Sequence, residues 1–208
     1  MKPYKHKCIN DNIVIIDGLT RSGKFYLGKL MSAVKGLEYF INSSEIERII
    51  IAGSTGIISK TDASALMAIA ANEEIYNFAI GRNINLRYDD SSSILNSFEK
   101  KEYLLRQQQN SGWDAVQKIL DNNRFSVFIL HQSLQALEII RGAIPKPFII
   151  NLRRHPVELV FSWVQRGWGQ RYGHDPLAFE PVFKHSDSFV PYFAVDWRND
   201  YTKGNDYD

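Results

Sequence analysis

A glycine-rich segment between an apolar strand and a helix constrains the fold of this chain more than any other feature. Residues 12–17 are apolar and β-branched, which is typical of a buried strand, and residues 24–36 have a helical pattern closed by Gly36. The intervening Gly18-Leu-Thr-Arg-Ser-Gly-Lys24 matches the phosphate-loop pattern G-x-x-x-x-G-K. Backbone N–H groups of such a loop face one anion, and the helix N-terminus adds partial positive charge. The sequence therefore predicts a phosphate site directly after the first strand.

Apolar bursts and longer amphipathic stretches alternate along the rest of the chain. This alternation predicts further strands at residues 47–52, 84–88, 125–130 and 148–153. It predicts further helices at residues 62–80 (with Asp62 as the N-cap), 91–109, 113–122, 133–141 and 156–166. The expected fold class is α/β, with a P-loop NTPase-like parallel sheet flanked by helices on both faces. Ligands of such sheets bind beyond the carboxyl ends of the strands.

The composition sets the expected domain organisation and compartment. The 208 residues predict a single domain, with a nucleotide-binding core at 12–166 and an aromatic-rich C-terminal extension at 167–208. A net charge of +2 gives no argument for a nucleic-acid partner. One cysteine excludes an internal disulfide, and no apolar run has the length of a signal-peptide core or a membrane span. We therefore expect a soluble, cytoplasmic protein without a membrane span.

The residue after the loop lysine separates two classes of phosphate-loop protein. Mg²⁺-dependent nucleotide triphosphatases and kinases use Ser or Thr there to hold the metal ion, whereas this chain has Phe25. The later apolar strands lead into Gly53, His131 and Arg153 rather than into an acidic metal ligand. No metal site is therefore expected, and the predicted ligand is a nucleotide that is bound without metal.

A second anion site is predicted after the last clear strand. Arg154 lies at the carboxyl end of that strand, and Ser162 lies two helical turns further on. A guanidinium fork and a hydroxyl donor together suit a phosphate monoester. The sequence therefore carries two phosphate sites in one α/β framework.

These two sites together resemble those of the sulfotransferase family, which uses 3′-phosphoadenosine 5′-phosphosulfate. Thr20-Arg-Ser-Gly-Lys-Phe-Tyr-Leu27 resembles the family's 5′-phosphosulfate loop, P-[KR]-S-G-T-T-x-x. Arg154-His-Pro through Ser162 matches its 3′-phosphate motif, R-x-P-x-x-x-x-x-S. The resemblance covers residues 12–30 and 125–166, and it implies the family's fold and a sulfonate-transfer activity.

The resemblance also implies roles for individual residues. Arg21 takes the position of the family's basic residue that bridges the leaving oxygen and the sulfonate, and Tyr26 falls near an aromatic that stacks on adenine. Lys24 and Phe25 stand where the family usually has two threonines. The donor, released as adenosine 3′,5′-bisphosphate, is expected to contact Thr20, Arg21, Ser22, Gly23, Lys24, Phe25, Tyr26, Arg154 and Ser162.

Sulfonate transfer to an alcohol needs a base, and His131 is the predicted one. It follows a central strand directly, and its ordinary pKa of about 6.5 suits proton transfer at neutral pH. The alternative is a histidine that only caps the strand or packs beneath the next helix. The cytosolic branch of the sulfotransferase family places a catalytic histidine after the corresponding strand. Other branches use a carboxylate instead, for which Asp62 and the Glu73–Glu74 pair are candidates here.

The predicted function is therefore transfer of a sulfonate to an acceptor hydroxyl, with Arg21 and His131 as catalytic residues. The acceptor is unidentified, with a carbohydrate or a small alcohol among the candidates. A P-loop kinase or nucleotidase that uses ATP is one alternative. A non-catalytic nucleotide- or partner-binding module on the same fold is the other.

Overall fold

The computed structural model of the chain describes residues 4, 7–110, 112–168 and 171–204. Contacts divide the chain into a first unit, Met1–Leu152, and a second unit, Arg153–Asp208. The phosphate loop and His131 belong to the first unit, whereas Arg154 and Ser162 belong to the second.

Four parallel strands form the sheet of the first unit, in the order β2-β3-β1-β4. All six residues of β1 are buried, because this strand lies between two others and Ile15 is opposite both Phe128 and Ile149. The β-branched runs thus form the sheet, as predicted for residues 12–17, 125–130 and 148–153. The strands are β1 (Ile13–Gly18), β2 (Ile41–Asn42), β3 (Ser126–Ile129) and β4 (Phe148–Leu152).

Helices flank this sheet, so the α/β class with a parallel sheet is confirmed. Serine side chains are the N-caps of the two helices that follow β2. Ser43 accepts a hydrogen bond from the Ile46 amide, and Ser59 accepts one from the Asp62 amide. Short 3-10 turns span Ile94–Asn96 and Ser133–Ala136. The helices described in this unit are α1 (Lys24–Met31), α2 (Ser44–Ser54), α3 (Lys60–Ala79), α4 (Lys100–Arg106), α5 (Trp113–Asp121) and α6 (Leu137–Ala143).

The helix that follows the phosphate loop packs very close to the sheet. A Cβ atom on Gly28 of α1 would lie 2.5 Å from the Phe40 ring and 3.1 Å from Ile129. Any side chain at this position would push the helix away from β3. Gly28 therefore fixes the distance between the middle of α1 and the end of β3.

The strand predicted at residues 47–52 is wrong, because this segment is the middle of α2. Its Ile-Ile-Ile run has the composition of a strand, but Ser43 caps a helix and Glu45 and Glu47 occupy its first turn. Ile46 and Ile50, one turn apart, point into the core. The helix-forming signals lay just before the apolar run and outweighed it.

Other boundaries also differ from the predictions. Residues 84–88 form no strand, and Leu86 and Tyr88 are exposed in a loop. The helix predicted at 91–109 reduces to one 3-10 turn and α4, and α1 ends at Met31 rather than at residue 36. The N-cap of α3 is Ser59 rather than Asp62.

A buried ion-pair network lies near the amino end of β3. The Glu38 carboxylate is 2% exposed and accepts hydrogen bonds from Arg106 Nη1 at 2.7 Å and Nη2 at 3.1 Å. Glu38 also pairs with Arg124, which contacts Glu99 as well. The Glu38 carboxylate thus compensates two arginines that are largely removed from water.

The second unit is rich in aromatic side chains. It contains α7 (Pro156–Val164), an antiparallel hairpin of β5 (Val182–His185) and β6 (Ser188–Pro191), a 3-10 helix (Tyr192–Trp197) and α8 (Arg198–Tyr201). The rings of Trp163 and Tyr172 both contact Phe193 edge-on, at centroid distances of 6.1 and 5.6 Å. These contacts join the end of α7 to the segment after the hairpin.

The helices were also compared by length and apolar character with those that span membranes. Within the described ranges, none combines the length and the apolar character that crossing a membrane requires.

Candidate functional site

The strand order places a topological switch point between β1 and β3. The chain leaves β1 and crosses past β3 to reach β2, whereas it leaves β3 and crosses past β1 to reach β4. The two connections depart in opposite directions, so a crevice opens at the carboxyl ends of these strands. The residues that follow β1 are the phosphate loop, and the second residue after β3 is His131. The topology thus brings two predicted site elements to one edge of the sheet.

The loop after β1 has the backbone conformation of an anion-binding turn. Arg21 (φ 72°) and Gly23 (φ 102°) are both left-handed, and the Ser22 amide donates to the Leu19 carbonyl at 3.1 Å. A Cβ atom on Gly18 would lie 2.4 Å from the Leu152 carbonyl oxygen, so only glycine fits where β1 enters the loop. Alternating right- and left-handed residues turn successive N–H groups toward one point.

Lys24 is the buried charge of the loop. Its ammonium donates to the carbonyls of Gly18 at 2.7 Å and Leu19 at 2.8 Å. Burial lowers the pKa of Lys24 from 10.5 to about 8, although the nearby carboxylates of Asp17 and Glu47 act in the opposite direction. The lysine therefore closes the loop on itself and has a proton that it can lose at mildly alkaline pH.

Ser22 is a buried polar group with no hydrogen-bond partner in the described structure. Its Oγ atom is shielded from solvent, and a hydroxyl in this state costs stability unless a ligand or water satisfies it. Thr20 is half-buried beside it, and Arg21 is exposed. The loop thus presents a buried hydroxyl and an exposed guanidinium on adjacent residues.

The two residues after Lys24 point in different directions. Phe25 packs into the core, with its ring 5.4 Å from that of Phe40 and 6.2 Å from that of His131. Tyr26 is 69% exposed on α1. Phe25 therefore packs between the core and His131, whereas Tyr26 is accessible to a ligand.

His131 is held by a carboxylate that sequence analysis missed. Glu47 Oε1 accepts the His131 backbone N–H at 3.0 Å and lies 2.7 Å from ring atom Nδ1. A carboxylate only accepts hydrogen bonds, so the imidazole presents Nδ1–H to it, and Nε2 is the basic nitrogen of the neutral ring. Glu47 was assigned to a strand, and recognition of the Ser43 cap would have placed it on a helix facing this edge.

Asp17 is a second carboxylate that sequence analysis did not assign to the site. Its Oδ1 accepts from the backbone N–H and the hydroxyl of Ser133, both at 2.8 Å, and its Oδ2 accepts from Asn151 at 3.2 Å. These bonds join the carboxyl ends of β1, β3 and β4. Asp17 is thus a fully buried, hydrogen-bonded anchor of the strand ends.

The predicted 3′-phosphate residues lie in the second unit, on and before α7. Arg154 is exposed, and its Nε donates to Glu158 Oε2 at 2.7 Å. Ser162 is buried, and Arg166 Nη1 donates to its hydroxyl at 3.1 Å and to its carbonyl at 3.0 Å. Sequence analysis missed both Glu158 and Arg166, although their spacing of four from Arg154 and Ser162 was a readable signal.

No match was found. The comparisons covered protein-family models, curated proteins and solved structures. The function of the chain must therefore be argued from its own residues.

At the carboxyl edge, the described residues form no cluster of metal ligands, and a large cavity lies elsewhere in the first unit. Among the described residues, no group of three or more His, Cys, Asp or Glu is placed to hold a metal ion. A cavity of about 1030 Å³ lies at the other end of the sheet, between the end of α1, α5 and the residues before β3. Its lining includes Lys35, Lys118 and Phe125 but none of the predicted site residues. The candidate chemistry is therefore at the carboxyl edge, away from this cavity.

Proposed function

We propose that the chain is a sulfotransferase of the P-loop type, which moves a sulfonate from 3′-phosphoadenosine 5′-phosphosulfate to an acceptor hydroxyl. The observation that carries the proposal is the pairing of a phosphate loop with His131 at the switch point of a parallel sheet. The left-handed Arg21 and Gly23 and the buried Lys24 support a phosphate ligand in that loop.

The arrangement supports in-line transfer without covalent catalysis by the protein. The acceptor oxygen forms a new S–O bond while the bond from sulfur to the 5′-phosphate oxygen breaks. The acceptor proton passes to Nε2 of His131, and the Glu47 carboxylate stabilises the resulting imidazolium through Nδ1–H. The electron pair of the broken bond remains on the departing phosphate, where Arg21, Lys24 and the loop N–H groups balance its charge.

Lys24 has to change partners for this reaction. In the structure its ammonium binds the Gly18 and Leu19 carbonyls. A phosphate in the loop offers charged acceptors, which form hydrogen bonds about twice as strong as neutral ones. The lysine is expected to turn from the carbonyls to the phosphate and to become fully protonated.

The proposal assigns the 3′-phosphate to Arg154 and Ser162 of the second unit. This assignment rests on the sulfotransferase-like motif, on the exposed Arg154 guanidinium before α7 and on the buried Ser162 hydroxyl within it. Tyr26 of the first unit is the proposed stacking partner of adenine.

Calorimetric titration with adenosine 3′,5′-bisphosphate, and separately with ATP in the presence and absence of Mg²⁺, tests the donor assignment. The expected result is metal-independent bisphosphate binding that Arg154→Ala and Lys24→Met each weaken at least tenfold. Binding of ATP that requires Mg²⁺, without binding of the bisphosphate, would instead establish a P-loop kinase or nucleotidase.

A non-catalytic nucleotide-binding module is the second candidate function. Phe25 favours it, since its ring is packed in the core and the two threonines of the sulfotransferase loop are replaced by Lys24 and Phe25. Transfer of ³⁵S from the labelled donor to a panel of sugars, alcohols and phenols separates the two candidates. Turnover that is abolished in Arg21→Ala supports the enzyme, whereas tight binding without turnover on any acceptor supports the module.

A further inference from the structure

Four polar side chains follow one another at a spacing of four residues in and on either side of α7. They are Arg154, two residues before the helix, Glu158 and Ser162 within it, and Arg166, two residues after it. Arg154 contacts Glu158 at 2.7 Å, and Arg166 contacts Ser162 at 3.1 Å. The predicted 3′-phosphate arginine and serine are thus each in contact with a second charged residue that the family motif does not include.

The contact between Arg166 and Ser162 places a guanidinium and a hydroxyl next to each other. Ser162 Oγ accepts a hydrogen bond from Arg166 Nη1. A guanidinium and a hydroxyl that lie within hydrogen-bond distance of each other can both contact one phosphate group, whose oxygens are acceptors. Arg166 is itself exposed, so its remaining N–H groups and its full positive charge are accessible from solvent.

The aromatic surroundings hold the Arg166 guanidinium in place. Its Cζ atom lies 5.9 Å from the centre of the Trp168 ring, within the range of a cation–π contact. A guanidinium that is fixed by both a ring and a hydroxyl loses less conformational freedom when it binds a ligand. This preorganisation favours a binding role for Arg166.

Glu158 has the opposite effect on the same site. Its carboxylate lies on the Arg154 guanidinium, where a phosphate oxygen would otherwise accept the Nε hydrogen. Both side chains are substantially exposed, so the pair is weak and a dianion can displace it. Glu158 therefore acts as a competitor that holds Arg154 while no phosphate is bound.

We propose that Arg166 is a further binding residue for the 3′-phosphate, acting with Arg154 and Ser162, and that Glu158 lowers the affinity of this subsite. The inference rests on the proposed function, since the ligand is the 3′-phosphate monoester of the donor nucleotide. The competing explanation is that Arg166 only caps α7, because its Nη1 also donates to the Ser162 carbonyl in the last helical turn.

The test compares the affinities of each variant for adenosine 3′,5′-bisphosphate and for adenosine 5′-monophosphate. The dissociation constant for the monophosphate, divided by that for the bisphosphate, isolates the contribution of the 3′-phosphate. A larger ratio means a stronger contribution. Arg166→Met should reduce this ratio by about tenfold to a hundredfold, as expected for loss of a charge-assisted hydrogen bond. Glu158→Gln should raise it by about two- to fivefold, which corresponds to release of an exposed ion pair.

Arg198→Met is the matched control in the same unit. Arg198 also donates from Nη1 to a nearby backbone carbonyl, that of Val195 at 3.0 Å, and the proposal gives it no contact with the phosphate. It should leave the ratio unchanged. Arg166→Lys keeps the charge but loses the fork, and it gives an intermediate ratio should Arg166→Met fail to fold.

The outcomes separate the inference from the proposed function. A wild-type preference for the bisphosphate that persists in Arg166→Met and Arg166→Lys overturns the role of Arg166 and leaves the proposed donor intact. A wild-type protein that binds the two nucleotides equally overturns the 3′-phosphate subsite and the proposed donor together.

Discussion

Lys24 makes nucleotide binding depend on pH in a way that the structure predicts. Burial holds its pKa at about 8 in the free protein, where the ammonium hydrogen-bonds to two loop carbonyls. A phosphate beside the amine favours the charged form and raises this pKa again. Binding of adenosine 3′,5′-bisphosphate should therefore take up about half a proton at pH 8 and about 0.9 of a proton at pH 9.

Calorimetry in buffers of different ionisation enthalpy measures this proton uptake directly. The contribution of Lys24 to the dissociation constant should be nearly constant below pH 7 and should raise this constant about fivefold between pH 8 and pH 9, as the free lysine becomes neutral. Lys24→Met is the control, since it keeps the length and apolar stem of the side chain but carries no proton. The reasoning is refuted if the wild type binds the bisphosphate without proton uptake at pH 9, or if Lys24→Met takes up as much as the wild type.

The same pKa has a consequence for folding. The unfolded chain holds the Lys24 proton up to about pH 10.5 and the folded chain only up to about pH 8, so the unfolded state binds more protons between these values. The contribution of Lys24 to the free energy of unfolding therefore rises with pH across that window, by about 3 kcal/mol in total. Urea denaturation at pH 7.5 and pH 10 should show most of this rise in the wild type and its absence in Lys24→Met.

Three further variants test separate parts of the structure. Glu38→Gln should destabilise the fold by about 3 kcal/mol in urea denaturation, because Arg106 keeps a buried charge without its main partner; a loss below 0.5 kcal/mol, at the order of magnitude of a surface pair, would contradict the buried network. Gly18→Ala should abolish bisphosphate binding, since its Cβ would meet the Leu152 carbonyl at 2.4 Å; wild-type affinity would show that the loop tolerates rearrangement. His131→Gln should keep bisphosphate affinity and abolish sulfonate transfer, and unchanged transfer would remove the histidine from the mechanism.

The phosphate loop could be located from sequence because its signals are local. The β-branched run before Gly18 and the glycine-lysine pair at Gly23 and Lys24 are contiguous, and the structure has β1, the loop and α1 where they indicate. Strands β3 and β4 were predictable for the same reason, since each is a short apolar burst bounded by polar residues. The class of the fold followed from this alternation.

The partners of the site residues were not predictable in the same way. The contact between Glu47 and His131 joins residues 84 positions apart, and it depends on α2 being a helix rather than the predicted strand. The isoleucine run in this segment suits either a buried helix face or a strand, and the Ser43 cap with the acidic first turn separates the two. The bonds from Asp17 to Ser133 and Asn151 likewise depend on strand order, which no local pattern encodes.

The structure also gives Phe25 a place in the proposed mechanism. The first turn of α1 is held close to the sheet, and there the Phe25 ring contacts Phe40 on one side and His131 on another. Mg²⁺-dependent phosphate-loop enzymes need a hydroxyl at this position to hold the metal. In this chain the position instead supplies an apolar wall beside the proposed base, while Glu47 fixes the opposite nitrogen of the ring. A replacement of Phe25 by threonine would therefore remove the ring that packs beside His131 and would leave Glu47 as the contact that holds the imidazole.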